Sequence, residues 1–276
     1  MSASDNEAVA GSAAGDSLAL SNTVSASLDV NPFVGEGGAY DSVRPAYPDE
    51  AVAALIDAAR SGRGVNAPGR DDPLRAADIG AGTGKMSELL ARGGLLVDAV
   101  EPSEAMRAQA SAIEGVTWHD GVAEETGLPN DVYDIVVFAQ SWHWMDPERA
   151  GLEAARILAP GGVLAIVWNQ MAVSIPWVYR LTRIMRSGDV HRPDRPPTPG
   201  GGFAPMTLTQ VAWEDRMTPE EILTLGTTRS SYIRSSEAGR ARMQENLRWY
   251  LYEHLGYAPG ELVTIPYATL VWISHL

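Results

Sequence analysis

The run Asp78-Ile79-Gly80-Ala81-Gly82-Thr83-Gly84-Lys85 follows a short apolar stretch and leads into a helical pattern. Glycines at alternate positions let a backbone turn sharply and approach a ligand with no Cβ in the way. Spacing separates the nucleotide loops built on this device. A dinucleotide fingerprint needs a third glycine where Lys85 stands. A P-loop needs glycine in place of Ile79, and Ser or Thr in place of Met86. Both are excluded. A second signal comes from Val97-Asp98-Ala99-Val100-Glu101-Pro102. Glu101 lies about 20 residues past the glycines, the separation expected for a carboxylate that accepts hydrogen bonds from both hydroxyls of a ribose.

Further chemistry-bearing residues flank this pair. In Gln140-Ser141-Trp142-His143-Trp144, His143 is the candidate general base, because an imidazole titrates near physiological pH. The alternative is a hydrogen-bonded structural ring between two indoles. Trp142 and Trp144 either pack or form an aromatic wall that excludes water and faces a cation. Arg44 is suited to a bidentate grip on a carboxylate, or else to a surface ion pair. Tyr40 and Tyr47 either close over a ligand or pack. Trp168 and Asn169, at a strand end, are candidates for lining the pocket, as are Arg229 and Tyr232. His119, His191, His254 and His275 show no metal-like spacing, and no metal is expected.

These residues need a scaffold, and the hydrophobic pattern supplies one. Apolar runs at Arg75–Ile79, Leu95–Val100, Ile135–Ala139 and Val163–Trp168 have the length of buried parallel strands, with a weaker one at Val116–His119. Helical patterns at Gly84–Arg92, Glu104–Ile113 and Pro147–Leu158 separate them, with Ser103 and Asp146 as N-caps. The alternation predicts a parallel sheet with helices on both faces. An earlier helix opens at Pro48-Asp49-Glu50, and Gly62 to Asp72 reads as a loop. Past Trp168 the rhythm breaks. Pro193, Pro196, Pro197, Pro199, Pro205 and Gly200–Gly202 mark a long irregular stretch, and residues 171–235 are expected to form a lid or substrate insertion. Val211–Trp213 is a short strand candidate, Thr218-Pro219-Glu220-Glu221 a capping box, Ala238–His254 a helix and Thr269–Ser274 a final strand. Residues 1–30, rich in Ser, Ala, Gly and Asp, read as a disordered tail before a domain spanning 31–276.

Composition removes several function classes. There is no cysteine among the 276 residues, so disulfides, thiolate metal sites and Cys nucleophiles are out. The formal charge of -14 and the lack of a Lys/Arg stripe argue against nucleic acid as partner. No run reaches the roughly 18 apolar residues of a membrane span, and no secretory signal opens the chain. A cytoplasmic protein is expected; oligomeric state stays open.

What remains is an acidic-x-G-x-G-x-G loop, which resembles motif I of class I S-adenosylmethionine-dependent methyltransferases. Asp120-Gly121-Val122-Ala123-Glu124 is similar to that family's adenine-side loop, with Val122 in place of the common Asp. Tyr133-Asp134-Ile135-Val136-Val137 and Leu158-Ala159-Pro160-Gly161-Gly162 resemble its fourth strand and the turn before its fifth. The resemblance covers about residues 75–170, the cofactor-binding core. Tyr40 to Pro48, Gln140 to Trp144 and Arg229 to Tyr232 resemble small-molecule enzymes near trans-aconitate methyltransferase. It implies a Rossmann-like three-layer sandwich, with a mostly parallel seven-stranded sheet whose final strand is antiparallel. It also implies S-adenosyl-L-methionine as cofactor. The implied cofactor set is Tyr40, Arg44, Asp78, Gly80, Ala81, Gly82, Thr83, Gly84, Glu101, Pro102, Met106, Gly121, Val122, Ala123, Ala139 and Gln140. The substrate set is Tyr47, Trp142, Trp144, Trp168, Asn169, Arg229 and Tyr232, with His143 catalytic. The rival reading is a protein that keeps the cofactor fold but serves as a regulatory partner without turnover.

Overall fold

The computed structural model describes residues 43–63, 72–110, 112–188 and 191–276. The tail expected at 1–30 and the candidate Tyr40 lie outside them, as does most of the loop read from Gly62 to Asp72. Seven strands form one sheet: β1 (Arg75–Ile79), β2 (Leu96–Val100), β3 (Val116–His119), β4 (Tyr133–Ala139), β5 (Leu158–Met171), β6 (Thr207–Met217) and β7 (Val263–His275). Their spatial order is β3-β2-β1-β4-β5-β7-β6. The first five run parallel, and β7 is antiparallel to both β5 and β6. This is the Rossmann-like sandwich that the family resemblance implies.

Strand residues alternate between two cores, as a period of two requires. Ala76, Ile135, Val137, Ala165, Val167 and Val271 face one core, into which α1 (Asp49–Gly62) and α2 (Lys85–Arg92) pack. Ala77, Val136, Phe138, Leu164, Ile166 and Leu270 face the other, covered by α4 (Pro147–Ile157) with Ala150, Ala154 and Ile157. Between β2 and β3, α3 is shorter than expected, covering only Glu104–Arg107. Ser103 caps it by accepting from the Met106 N–H, but the Ala108–Ala110 stretch leaves the helix. At α4, Asp146 accepts from the Glu148 and Arg149 N–H groups, with Pro147 in the first turn.

The 171–235 interval is not a continuous lid. Its centre, Thr207–Met217, is the full-length edge strand β6 rather than the three-residue piece expected. Around it, α5 (Pro176–Met185), α6 (Pro219–Thr227), α7 (Ser230–Ile233) and α8 (Glu237–Arg248) build a helical cap. Val178, Leu181, Met185, Ile222, Leu225, Met243 and Leu247 form its own core, joined by Met171, Met217 and Val263 from strand ends. The capping box at Thr218 and Glu221 is present in both directions. The last helix changes to a π turn over Trp249–His254. Among the described residues, no helix is long and apolar enough to cross a membrane.

Candidate active site

The glycine loop turns at the carboxyl end of β1, with Gly80, Gly82 and Gly84 all at positive φ (69°, 60° and 90°). Their surroundings differ. A Cβ on Gly80 would lie 2.6 Å from the Ser141 Cβ, and one on Gly84 would lie 2.9 Å from the Trp118 ring. Those two glycines make room for the protein itself. Beside a Cβ on Gly82, among the described residues, only the Met106 sulfur comes near, at 3.8 Å, so its left-handed turn is the open one of the three.

Glu101 ties the loop to β2. It is buried; one carboxylate oxygen accepts from the Gly82 N–H at 3.0 Å and the other from the Ser103 N–H at 2.9 Å. A carboxylate offers about four lone-pair sites, so acceptor capacity remains for a diol. Arg107 donates to the Glu101 carbonyl and, at 3.2 Å, to Asp120. It thereby joins the end of β2 to the loop containing Gly121, Val122 and Ala123. Ala123 is buried, while Val122 is exposed. Pro102 is exposed, and Ala81, Thr83 and Ala139 are half-buried along the same edge of the sheet.

Asp78 lies under the loop with no solvent exposure. One oxygen accepts from the Ser87 hydroxyl at 2.6 Å, and the other has no hydrogen-bond partner among the described residues. Burial pushes its pKa up to about 6. Because the folded value lies above the unfolded one, the cost of ionising Asp78 is absent below about pH 4, builds between pH 4 and 6, and is complete above that. Asp78→Asn is therefore expected to raise the apo-protein melting temperature at pH 7, by about 3 kcal/mol of stability at most. The gain over wild type should disappear near pH 4; an equal gain at both pH values, or none at pH 7, would refute it.

The other half of the site is held by a strap, residues 43–48. Lys85, the chain's single lysine, donates to the Arg44 carbonyl at 2.9 Å. The Arg44 guanidinium donates to the Thr228 hydroxyl at 3.0 Å and carbonyl at 2.7 Å. Asn169 donates to the Ala46 carbonyl at 2.9 Å and accepts from Thr269 at 2.9 Å. Asn169 is thus a strut whose side chain is used up internally, not a pocket group. Tyr47 likewise packs in the core under α1.

At the end of β4, Gln140 takes φ 58° and donates to the Asn169 carbonyl at 2.5 Å. A non-glycine residue in this region stores strain, which recurs at functional sites. Ser141 donates to the Ile79 carbonyl at 2.7 Å, locking β4 to the glycine loop. Trp142 turns inward, edge-on to Phe138 with ring centres 4.9 Å apart, so it is core rather than wall. His143 points outward. Protein crowding lowers its pKa, and the Arg44 cation lowers it further. Trp144, half-exposed, carries the Arg234 guanidinium 5.4 Å from its ring centre, so one of its faces already holds a cation.

Trp168 is buried and stacked under His191, with ring centres 3.9 Å apart. Gln170 fixes that cover by accepting from the His191 N–H at 3.2 Å and donating to its carbonyl at 2.8 Å. Tyr232 is turned toward α8, where Arg240 lies over its ring, and away from a ligand role. Arg229 is different. It is 8% exposed, its Nε is sealed from solvent without a hydrogen bond, and no ion pair reaches it among the described residues. It directly follows Thr228, the anchor of Arg44.

Comparison with known proteins decides the family. A relative from Mycobacterium tuberculosis, named an uncharacterized methyltransferase, is 37% identical over 235 residues, covering 84% of this chain and 90% of its own. The chain belongs to the methyltransferase family. The family model "Methyltransferase domain" matches residues 77–166. A methyltransferase-like protein of Schizosaccharomyces pombe is 25% identical over 231 residues, covering 80% of this chain and 86% of its own. A solved chain from Anaeromyxobacter dehalogenans, provisionally described as a type II methyltransferase, superposes with a TM-score of 0.61. It is 25% identical and covers 84% of this chain and 97% of its own. This protein is a class I methyltransferase.

The residues present fit S-adenosylmethionine, the cofactor that the family resemblance implies. The Asp78 oxygen without a hydrogen-bond partner among the described residues, the open turn at Gly82 and the spare lone pairs of Glu101 are the features a polar nucleoside–amino-acid ligand would use. Sequence reasoning missed Lys85, Ser141, Gln170, His191 and Thr228. Each acts through a tertiary hydrogen bond or ring contact that no local spacing announces.

Proposed function

We propose that this methyltransferase acts on a small molecule bearing an acidic group, held by Arg229 near the Arg44 strap. The observation that carries this reading is Arg229, 8% exposed, whose Nε is sealed from solvent without a hydrogen bond and which no carboxylate pairs among the described residues. A buried cation is costly until an anion meets it. The resemblance to trans-aconitate methyltransferase-like enzymes supports the same choice.

In its bound form the cofactor supplies an electrophilic methyl group on a sulfonium. Glu101 would hold its ribose, and Gly82 would let the chain pass close to it. Asp78 would accept from its polar groups, and Met106 would pack against it. The protein's remaining task is to align an acceptor oxygen and keep water out. The helical cap and the segment pinned by Gln170 cover the site from one side, and Trp144 and His143 border it at the end of β4. A carboxylate oxygen needs no base. A hydroxyl needs one, and the lowered pKa of His143 favours this second version, since it keeps the imidazole neutral and ready to accept a proton.

Radiolabelled methyl transfer to a panel of small carboxylic acids and hydroxy acids tests the class. Its failure on every acid, with turnover on uncharged acceptors, would overturn it. The pH profile separates the two oxygens. With a hydroxyl acceptor, kcat/KM should fall on the acid side with a midpoint below 6.5, the ordinary imidazole value. His143→Gln should remove that limb and lower the plateau about 100-fold. An unchanged profile would assign methylation to the carboxylate itself.

A further inference from the structure

A second cluster of cations lies on the helical cap, between α5 and α8. Arg180, Arg183 and Ile184 on α5 line one groove with Gly239, Arg242, Met243 and Asn246 on α8, and Arg186, just past α5, lines it too. The positions recur at helical spacing, so each helix turns one face to the same groove. The groove has a volume of about 400 Å³. It is a distinct place from the glycine loop, sharing none of its residues.

The four arginines are exposed, and none has a carboxylate within ion-pairing distance among the described residues. This is unusual in a chain with net charge -14, where acidic neighbours are plentiful. Glu245 lies only one turn beyond Arg242, yet no ion pair forms. The helix dipole accounts for part of the pattern. Arg183 and Arg186 sit at the carboxyl end of α5, where cations are favoured. It does not account for Arg180, in the middle of α5, or Arg242, in the middle of α8. Arg180 also lies over the rings of Trp249 and Tyr250, at 6.0 Å and 5.6 Å, which fixes its position at the groove.

Backbone geometry adds an independent sign. Arg186 has φ +48°, a conformation that glycine adopts at no cost and a long side chain does not. Here, at a helix C-cap, that position carries an arginine that lines the groove. Ser231 holds it there by donating to the Arg186 carbonyl at 3.0 Å.

We propose that this groove binds a small, multiply charged anion of the phosphate class. Guanidinium groups recognise phosphate oxygens with paired N–H donors, and four of them around one cavity repel each other until an anion enters. The Asn246 amide supplies a further donor, and Met243 and Ile184 give the floor an apolar surface. Size and net charge exclude an extended polyanion. The groove holds a molecule of small-metabolite size, while the acidic remainder of the protein repels a long nucleic acid.

The test is calorimetric titration of inorganic pyrophosphate into the full chain at fixed ionic strength. We expect saturable binding of one equivalent. Arg183→Gln with Arg242→Gln should weaken it at least tenfold. Arg60→Gln with Arg149→Gln, which removes equal charge elsewhere, should leave it unchanged. Arg186→Gly relieves the backbone and so holds the fold, yet should still weaken binding several-fold. Equal binding in all of these proteins, or an effect reproduced by potassium chloride at matched ionic strength, would overturn the site. Methyl-transfer activity does not enter these readouts, so they stand apart from the choice of acceptor.

Discussion

Glu101→Gln is expected to weaken S-adenosylmethionine binding about 100-fold by calorimetry, close to 3 kcal/mol. The carboxylate does two jobs through its two oxygens. It receives the Gly82 and Ser103 N–H groups, which shapes the loop, and it keeps lone pairs for the ribose. A glutamine has one oxygen and one NH2. Whichever way it turns, one N–H of the loop meets another donor, and the charge that strengthens the hydrogen bonds is gone. Ser103→Ala is the control, because it removes a helix cap at a cost of about 1 kcal/mol without touching Glu101. It should lower the melting temperature slightly and leave affinity nearly intact. Unaltered affinity in Glu101→Gln would remove the carboxylate from the cofactor site. Equal losses in both variants would mean that loop order alone is being measured.

This pair was readable in the sequence because both members sit at strand ends. A strand's position in a parallel sheet fixes the edge at which it stops, so Gly80–Gly84 and Glu101 meet whatever the loops do. The same logic made β1 to β5 and α4 legible from apolar runs and caps. It failed where tertiary contacts override local pattern. β6 alternates half-buried and exposed residues as an edge strand, and its polar composition hid all but Val211–Trp213. Aromatic residues misled for a related reason. Trp142, Tyr47 and Tyr232 looked like pocket walls, but each found a packing partner, Phe138, the α1 core and Arg240 respectively. Asn169 marks the limit of reading by type. An amide at a strand end suits a ligand, and only its bonds to Ala46 and Thr269 show that it braces the strap instead.

Arg229 carries the prediction that best separates function from architecture, because its two effects have opposite signs. Arg229→Met keeps much of the apolar stem of the side chain and removes a largely buried cation that no carboxylate neutralises among the described residues. A buried unpaired charge costs several kcal/mol, and relief of about 2 kcal/mol corresponds to a rise of roughly 4–8 °C in melting temperature for a chain of this size. The same substitution should raise KM for an acidic acceptor by about 100-fold or more, the loss that follows when a buried charge pair cannot form. Cofactor affinity should stay within a few-fold of wild type, because Glu101 and the glycine loop are untouched. A protein that melts lower and turns over normally would show that the guanidinium is a structural brace. A protein that melts higher and methylates just as well would show that it is a cost without a use. Only the combination of a more stable protein and a crippled acceptor KM matches a cation held ready for a substrate's anion. In that case the instability of the free enzyme is the counterpart of its specificity, since the group that strains the empty site is the one that binds the acceptor.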